Sequence, residues 1–181
     1  MKKPILLVAL VAVLVVLAGG CVHAPPFTSP KLEILNQQVE ANRGNAQAYS
    51  NRGYTLALLG QKEAARADLR KALALKSTAP LHNSAGFAYF NLGDYAEALR
   101  EWRTAADMSQ RRTHYDYYSL ALGYWAVGDL KQALENYQHA VEREPKFGDV
   151  KLLAERTAEW TPRERDAIQK IYALWSKTWR Q

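Results

Sequence analysis

One arrangement of small, large and polar positions is written three times between about Ala46 and Phe147. Three glycines, Gly60, Gly93 and Gly128, stand 33 and 35 residues apart. Five residues after each comes an alanine (Ala65, Ala98, Ala133), nine after a large residue (Leu69, Trp102, Tyr137), and twelve after another alanine (Ala72, Ala105, Ala140). Four before stand Leu56, Tyr89 and Tyr124; seven before stand Gly53, Gly86 and Ala121. Small residues let paired helices approach closely, and the large ones fill the space between them. Each marker glycine falls where the chain must reverse, a place that favours positive φ or unhindered backbone. A period near 34 residues therefore predicts a repeated helix–turn–helix unit, over about 46–78, 79–112 and 114–147.

The flanks carry helical patterns of their own. Lys31 to Arg43 places Leu32, Leu35 and Val39 on one face behind Pro30, which predicts a capping helix within 31–45. Gly148 to Glu159 predicts another helix, with Val150, Leu153 and Trp160 towards the stack. Thr161-Pro162-Arg163-Glu164 then reads as a helix start, with threonine as N-cap, proline at N1 and glutamate at N3. The helix it opens carries Ile168, Ile171, Tyr172, Trp175 and Trp179 as one apolar stripe, so 148–181 closes the array.

The segments LLGQKEAARADLRKAL, NLGDYAEALREWRTAA and AVGDLKQALENYQHAV resemble tetratricopeptide repeats. The pattern G-x(2)-Y…G-x-Y-x-x-A…W-x-x-A is most complete from Gly86 to Ala105. The third copy alone has the terminal proline, Pro145, where the others have Ser77 and Gln110, and it has Ala121 in place of the first-helix glycine. The resemblance implies an all-α solenoid of three such repeats with flanking N- and C-terminal helices. It also implies a concave groove lined by the first helix of each repeat. Carried over residue by residue, the groove row is Gln47, Ser50, Tyr54, Ala57 and Leu58, then Pro80, Asn83, Phe87, Phe90 and Asn91, then Tyr115, Tyr118, Leu122, Trp125 and Ala126. Family members that grip a C-terminal carboxylate use bases there, and this row has no lysine or arginine. An apolar or aromatic peptide segment held through its backbone fits better. The groove candidates are Tyr54, Asn83, Phe87, Phe90, Asn91, Tyr118 and Trp125. In short arrays the C-terminal helix lies within the groove, which is the competing placement for Leu122 and Trp125. Trp175 and Trp179, close to the terminus, form a second candidate interface for docking or for a homo-oligomer.

The first residues change the picture from fold to place. Met1-Lys2-Lys3 is basic, and Ile5 to Ala18 is an apolar run of 14 residues. A spanning helix needs about 20, so the run fits a signal peptide. Leu17-Ala18-Gly19-Gly20-Cys21 resembles a bacterial lipoprotein lipobox, with Ala18 where leucine is preferred. The resemblance implies removal of residues 1–20 and acylation of Cys21 as the mature N-terminus; ordinary cleavage leaving a free thiol is the alternative. Val22, in place of aspartate, implies sorting to the outer membrane with the domain facing the periplasm. His23 to Pro30 holds three prolines and predicts an extended tether, 21–30 including the cysteine.

Composition adds limits. Hydrophobic residues are 48% and charged residues 23% of the chain, ordinary for a globular protein. The formal charge is +6, of which Lys2 and Lys3 supply two, and it is too diffuse to argue nucleic-acid binding. No Ser-His-Asp order, H-x-x-x-H, C-x-x-C or phosphate-binding glycine loop is present. His23, His82, His114 and His139 lack metal-ligand spacing. Glu63, Asp68, Glu97, Glu101 and Glu135 read as solvated faces among bases. The expectation is a protein without enzymatic activity, cofactor or metal: a lipid-anchored scaffold or assembly factor binding an envelope protein or peptide segment. Pilotin-like factors for pilus secretins and adaptors for cell-wall hydrolases share that architecture. A cell-wall glycan module and a self-associating structural lipoprotein are the alternatives.

Overall fold

All three marker glycines turn the chain with positive φ, at 72° for Gly60, 86° for Gly93 and 87° for Gly128. The residue after each closes the preceding helix in the same register. Gln61 N–H donates to Leu56 O, Asp94 N–H to Tyr89 O and Asp129 N–H to Tyr124 O, each at 2.9 Å. Glycine is favoured there because a Cβ penalises the left-handed conformation that this ending requires.

The structure, a computed structural model, describes residues 29–179. The expected leader, Cys21 with its expected acylation, and most of the expected tether lie outside the described residues. The helices are α1 (Pro30–Ala41), α2 (Ala46–Leu58), α3 (Lys62–Leu75), α4 (Ala79–Leu92), α5 (Tyr95–Met108), α6 (His114–Ala126), α7 (Leu130–Arg143), α8 (Val150–Arg156) and α9 (Pro162–Trp179). A single 3-10 turn, Pro145–Gly148, precedes α8. Hairpins α2–α3, α4–α5 and α6–α7 stack through α2 on α4 and α5 on α6, with α1 against α2. The fold is an all-helical solenoid.

The spacing of small and large residues is the packing itself. Ala65, Ala98 and Ala133 are fully buried beside Leu69, Trp102 and Tyr137. A Cβ on Gly86 would stand 2.5 Å from Trp102 Nε1, and one on Gly53 would stand 3.0 Å from Leu69 Cδ2. The small residue is therefore the seat of the large one.

Two acids expected on solvated faces are buried. Asp68 accepts from Arg52 Nε at 2.6 Å and Nη2 at 2.8 Å. Glu101 meets His82 Nδ1 at 2.6 Å and accepts from Arg100 Nη2 at 3.1 Å, while His82 Nε2 lies 2.8 Å from Ser77 Oγ. Arg52 and His82 come from the paired helix, and burial of a charged group requires such partners. Glu63, by contrast, is solvated as expected.

The C-terminal region departs from expectation in detail. The helix expected from Gly148 is split between the 3-10 turn and α8; Leu153 is buried as expected, but Val150 is 56% exposed and Phe147 is buried instead. The helix start at Thr161 forms as expected: Thr161 N–H donates to Glu164 Oε2 at 2.9 Å, and Glu164 N–H to Thr161 Oγ1 at 3.3 Å. Helix α9 packs on α6 and α7, burying Ile168 and Ile171. Trp175 is core rather than interface: its indole donates to Gln138 Oε1 at 2.7 Å and meets Tyr137 edge-on at 5.6 Å. An 18-residue α9 is long enough to keep position 175 over α7, whereas Trp179 is 42% exposed. Among the described residues no helix is long and apolar enough to cross a membrane.

Candidate functional site

The first helices of the repeats face a concave pocket of about 520 Å³. Helix α2 contributes Ser50, Asn51 and Tyr54, α4 contributes Ser84 and Phe87, and α6 contributes Tyr118. Lys31 and Leu35 of α1 also line it. So do Glu159 and Trp160 before α9 and Glu164 in its first turn.

An aromatic wall runs across it. Phe87 meets Tyr118 at 6.4 Å between ring centroids, and Tyr118 meets Trp160 at 5.1 Å. Trp102 stands edge-on behind Phe87 at 5.0 Å, and Phe147 backs Tyr118 at 5.5 Å. Such offset and edge contacts hold ring positions firmly. Burial, with the Glu164 carboxylate adding to it, pushes the Tyr54 phenol up to about 12. Burial likewise raises Tyr118, followed by Tyr115 and Glu164. Both phenols stay neutral hydrogen-bonding groups at ordinary pH.

The turn before α9 is latched onto the end of α4. Asn91 Nδ2 donates to Glu164 Oε1 at 2.7 Å, and Thr161 Oγ1 donates to Asn91 Oδ1 at 2.8 Å. Arg163 Nη1 donates to the carbonyls of Phe90 at 3.2 Å and Asn91 at 3.0 Å. Both carbonyls belong to the last turn of α4; that of Phe90 also accepts from the capping Gly93 N–H at 3.0 Å. The latch therefore satisfies two helix ends at once.

Of the candidates, Tyr54, Phe87 and Tyr118 come together in the pocket. Asn83 instead accepts from Ser119 Oγ at 3.3 Å, linking α4 to α6. Phe90 is core, packed against Tyr95 and Trp102 at 5.5 and 5.8 Å, because its side of α4 faces α5. Asn91 is occupied by the latch rather than open to a ligand. Trp125 is half-buried against the core and is not among the lining residues. Sequence reasoning missed Lys31, Leu35, Asn51, Ser84, Glu159, Trp160 and Glu164 as lining. Trp160, an aromatic directly before a helix-start signal, was the one readable hint. No group of His, Cys, Asp and Glu among the described residues is placed to hold a metal ion.

Family models of the tetratricopeptide repeat match residues 46–78 and 117–147, and a second such model matches 79–104. The human tetratricopeptide repeat protein 13 is 26% identical over 116 residues; the match covers 64% of this chain and 13% of that protein's length. Among solved structures, MamA 41-end from Desulfovibrio magneticus RS-1 is similar with a TM-score of 0.56 at 18% identity, over 83% of this chain and 86% of that one. A thermophilic tetratricopeptide repeat protein of Thermus thermophilus gives 0.55 at 24% identity, over 70% of each chain. YrrB, described as a tetratricopeptide repeat protein with an unusual peptide-binding site, gives 0.53 at 24% identity, over 82% of this chain and 76% of that one. These likenesses are of fold. Tetratricopeptide repeats are thus recognised over residues 46–78, 79–104 and 117–147, within an all-helical solenoid flanked by α1 on one side and by α8 and α9 on the other.

Proposed function

We propose that this chain is a lipid-anchored interaction scaffold of the bacterial envelope whose concave pocket holds a short segment of a partner protein. The pocket carries the reading. It is concave, aromatic along one wall, and lined also by Asn51 and Ser84. Its volume lies within the range of about 300–1,000 Å³ typical of sites that enclose a small ligand. A few residues of an extended segment fit such a space. Backbone groups of the segment pair with the amide and hydroxyls, while its side chains meet the rings. The action is passive: the anchor fixes place and the solenoid presents the pocket. Support for the envelope comes from the leader, Cys21 and the proline-rich tether. Val22 favours the outer membrane, with the domain facing the periplasm. Pilus secretin assembly and cell-wall remodelling are pathways that such a scaffold serves.

The test is a photo-crosslinker at Asn51 of the full-length protein in envelope membranes, with and without Tyr54→Ala. A crosslink to one segment of one envelope protein, lost in the variant, is the expected result. A crosslink unaffected by Tyr54→Ala overturns the pocket as the site. Cys21→Ser is expected to move the protein from the membrane to the soluble fraction, and retention in the membrane overturns the anchor.

A further inference from the structure

We infer that the pocket selects a partner segment carrying an arginine or lysine side chain, its cation flanked by the aromatic wall and its N–H groups received by Glu164. This rests on the pocket being the partner's site. Glu164 is only 3% exposed, yet it lines the pocket and makes no ion pair with any described residue. Each of its oxygens accepts one hydrogen bond, from Asn91 Nδ2 and from Thr161 N–H. A carboxylate offers about four acceptor positions, so each oxygen has room for another donor. A buried carboxylate without a cation is costly, and an incoming cation relieves that cost.

Three further observations point the same way. Tyr54, Phe87, Tyr118 and Trp160 present rings to the same space, and ring faces attract a cation within about 6 Å of the centroid. Ser50, 2% exposed, is a lining residue whose Oγ has no hydrogen-bond partner among the described residues, leaving an acceptor for a ligand N–H. Glu159, an exposed lining residue, adds a like charge; the one base among the lining residues, Lys31, stands on α1. Acceptors on Glu164 and Ser50 favour a cation that carries N–H over a quaternary ammonium, and they oppose a carboxylate.

The experiment titrates the full-length chain in detergent with acetyl-Ala-Arg-Ala-amide, its citrulline counterpart and tetramethylammonium chloride. The readout is the indole N–H resonance of Trp160, assigned with Trp160→Phe. The arginine peptide is expected to shift it and to bind at least tenfold more tightly than citrulline, which keeps the shape and loses the charge. Glu164→Gln should bring that ratio below threefold, with Glu159→Gln lowering it less. Added salt should weaken the arginine peptide severalfold and leave citrulline unchanged, a result that does not depend on any variant folding. Equal binding of the two peptides overturns cation selection and leaves segment binding standing. Stronger binding of tetramethylammonium than of the arginine peptide also overturns it, in favour of a quaternary headgroup. No shift at Trp160 with any probe overturns the cation inference and the pocket together.

Discussion

Trp102 shows how one side chain sets a helix spacing. It is 1% exposed and seated on Gly86, whose added Cβ would stand 2.5 Å from the indole nitrogen. Gly86→Ala must displace the Trp102 indole or the helices that hold it, and overpacking of this kind costs about 1–3 kcal/mol. Gly60 makes the contrast: a Cβ there meets nothing within 4 Å, but φ is +72°. Gly60→Ala should cost about 1 kcal/mol from backbone strain alone. Urea unfolding checks both, and tryptophan fluorescence of the folded state should change only for Gly86→Ala. Asp94 gives a pH-dependent case. Arg66 donates to it through Nε and Nη2, both at 2.7 Å, and this pairing holds the Asp94 carboxyl below its ordinary value of 3.8. A depressed folded value means the contribution is present above 3.8 and lost as pH falls through the folded value. The stability lead over Asp94→Asn should be flat near neutrality and shrink below about pH 4. A lead unchanged down to about pH 2 in urea titrations would rule the pairing out as its source.

Among the elements, the join between α4 and α9 is the informative one. Asn91 Nδ2 reaches both Phe87 O at 2.9 Å and Glu164, while its Oδ1 takes the Thr161 hydroxyl. Asn91→Ala takes one partner each from Glu164 Oε1 and the Thr161 hydroxyl, a loss of about 1–3 kcal/mol. Amide exchange should quicken at Trp160 and in the first turn of α9, with α2 and α3 still protected. Uniform quickening would show that the turn is not a separate latch. The same contact explains what the sequence discloses and what it does not. Helix hairpins are legible because their small and large positions lie a few residues apart, and the start of α9 is legible because its capping pair is local. The Asn91–Glu164 contact spans 73 residues, and no period says where a non-repeating segment folds back. Burial of Asp68 and Glu101 was hidden for the same reason, since their partners sit 16 and 19 residues away. Tyr54 and Phe87 occupy equivalent repeat positions, so two sides of the pocket were readable; Trp160 and Glu164, which also line it, belong to no repeat.

For the whole molecule, a three-repeat solenoid has two apolar ends, and α9 decides what becomes of one of them. It buries Ile168, Ile171 and Trp175 against α6 and α7. Full burial of such side chains contributes about 1.5–3 kcal/mol each, so losing α9 should remove much of a stability that is typically only about 5–15 kcal/mol. A chain ending at Trp160 should therefore unfold at lower urea and also expose Tyr137, which is buried in the full chain. Repeat arrays with an uncovered end associate, so its mass in sedimentation should rise with concentration. The exposed end of the same helix makes the opposite prediction. Trp179 is 42% exposed, and Trp179→Ser should change stability by no more than about 0.5 kcal/mol. If the full chain sediments as a monomer and Trp179→Ser leaves it so, α9 acts as a lid on the array and the partner meets the protein in the pocket. If instead the full chain is an oligomer that Trp179→Ser dissolves, the outer end of α9 is a contact between copies. The pocket, at the other end of α9, would then be repeated in each copy of the assembly.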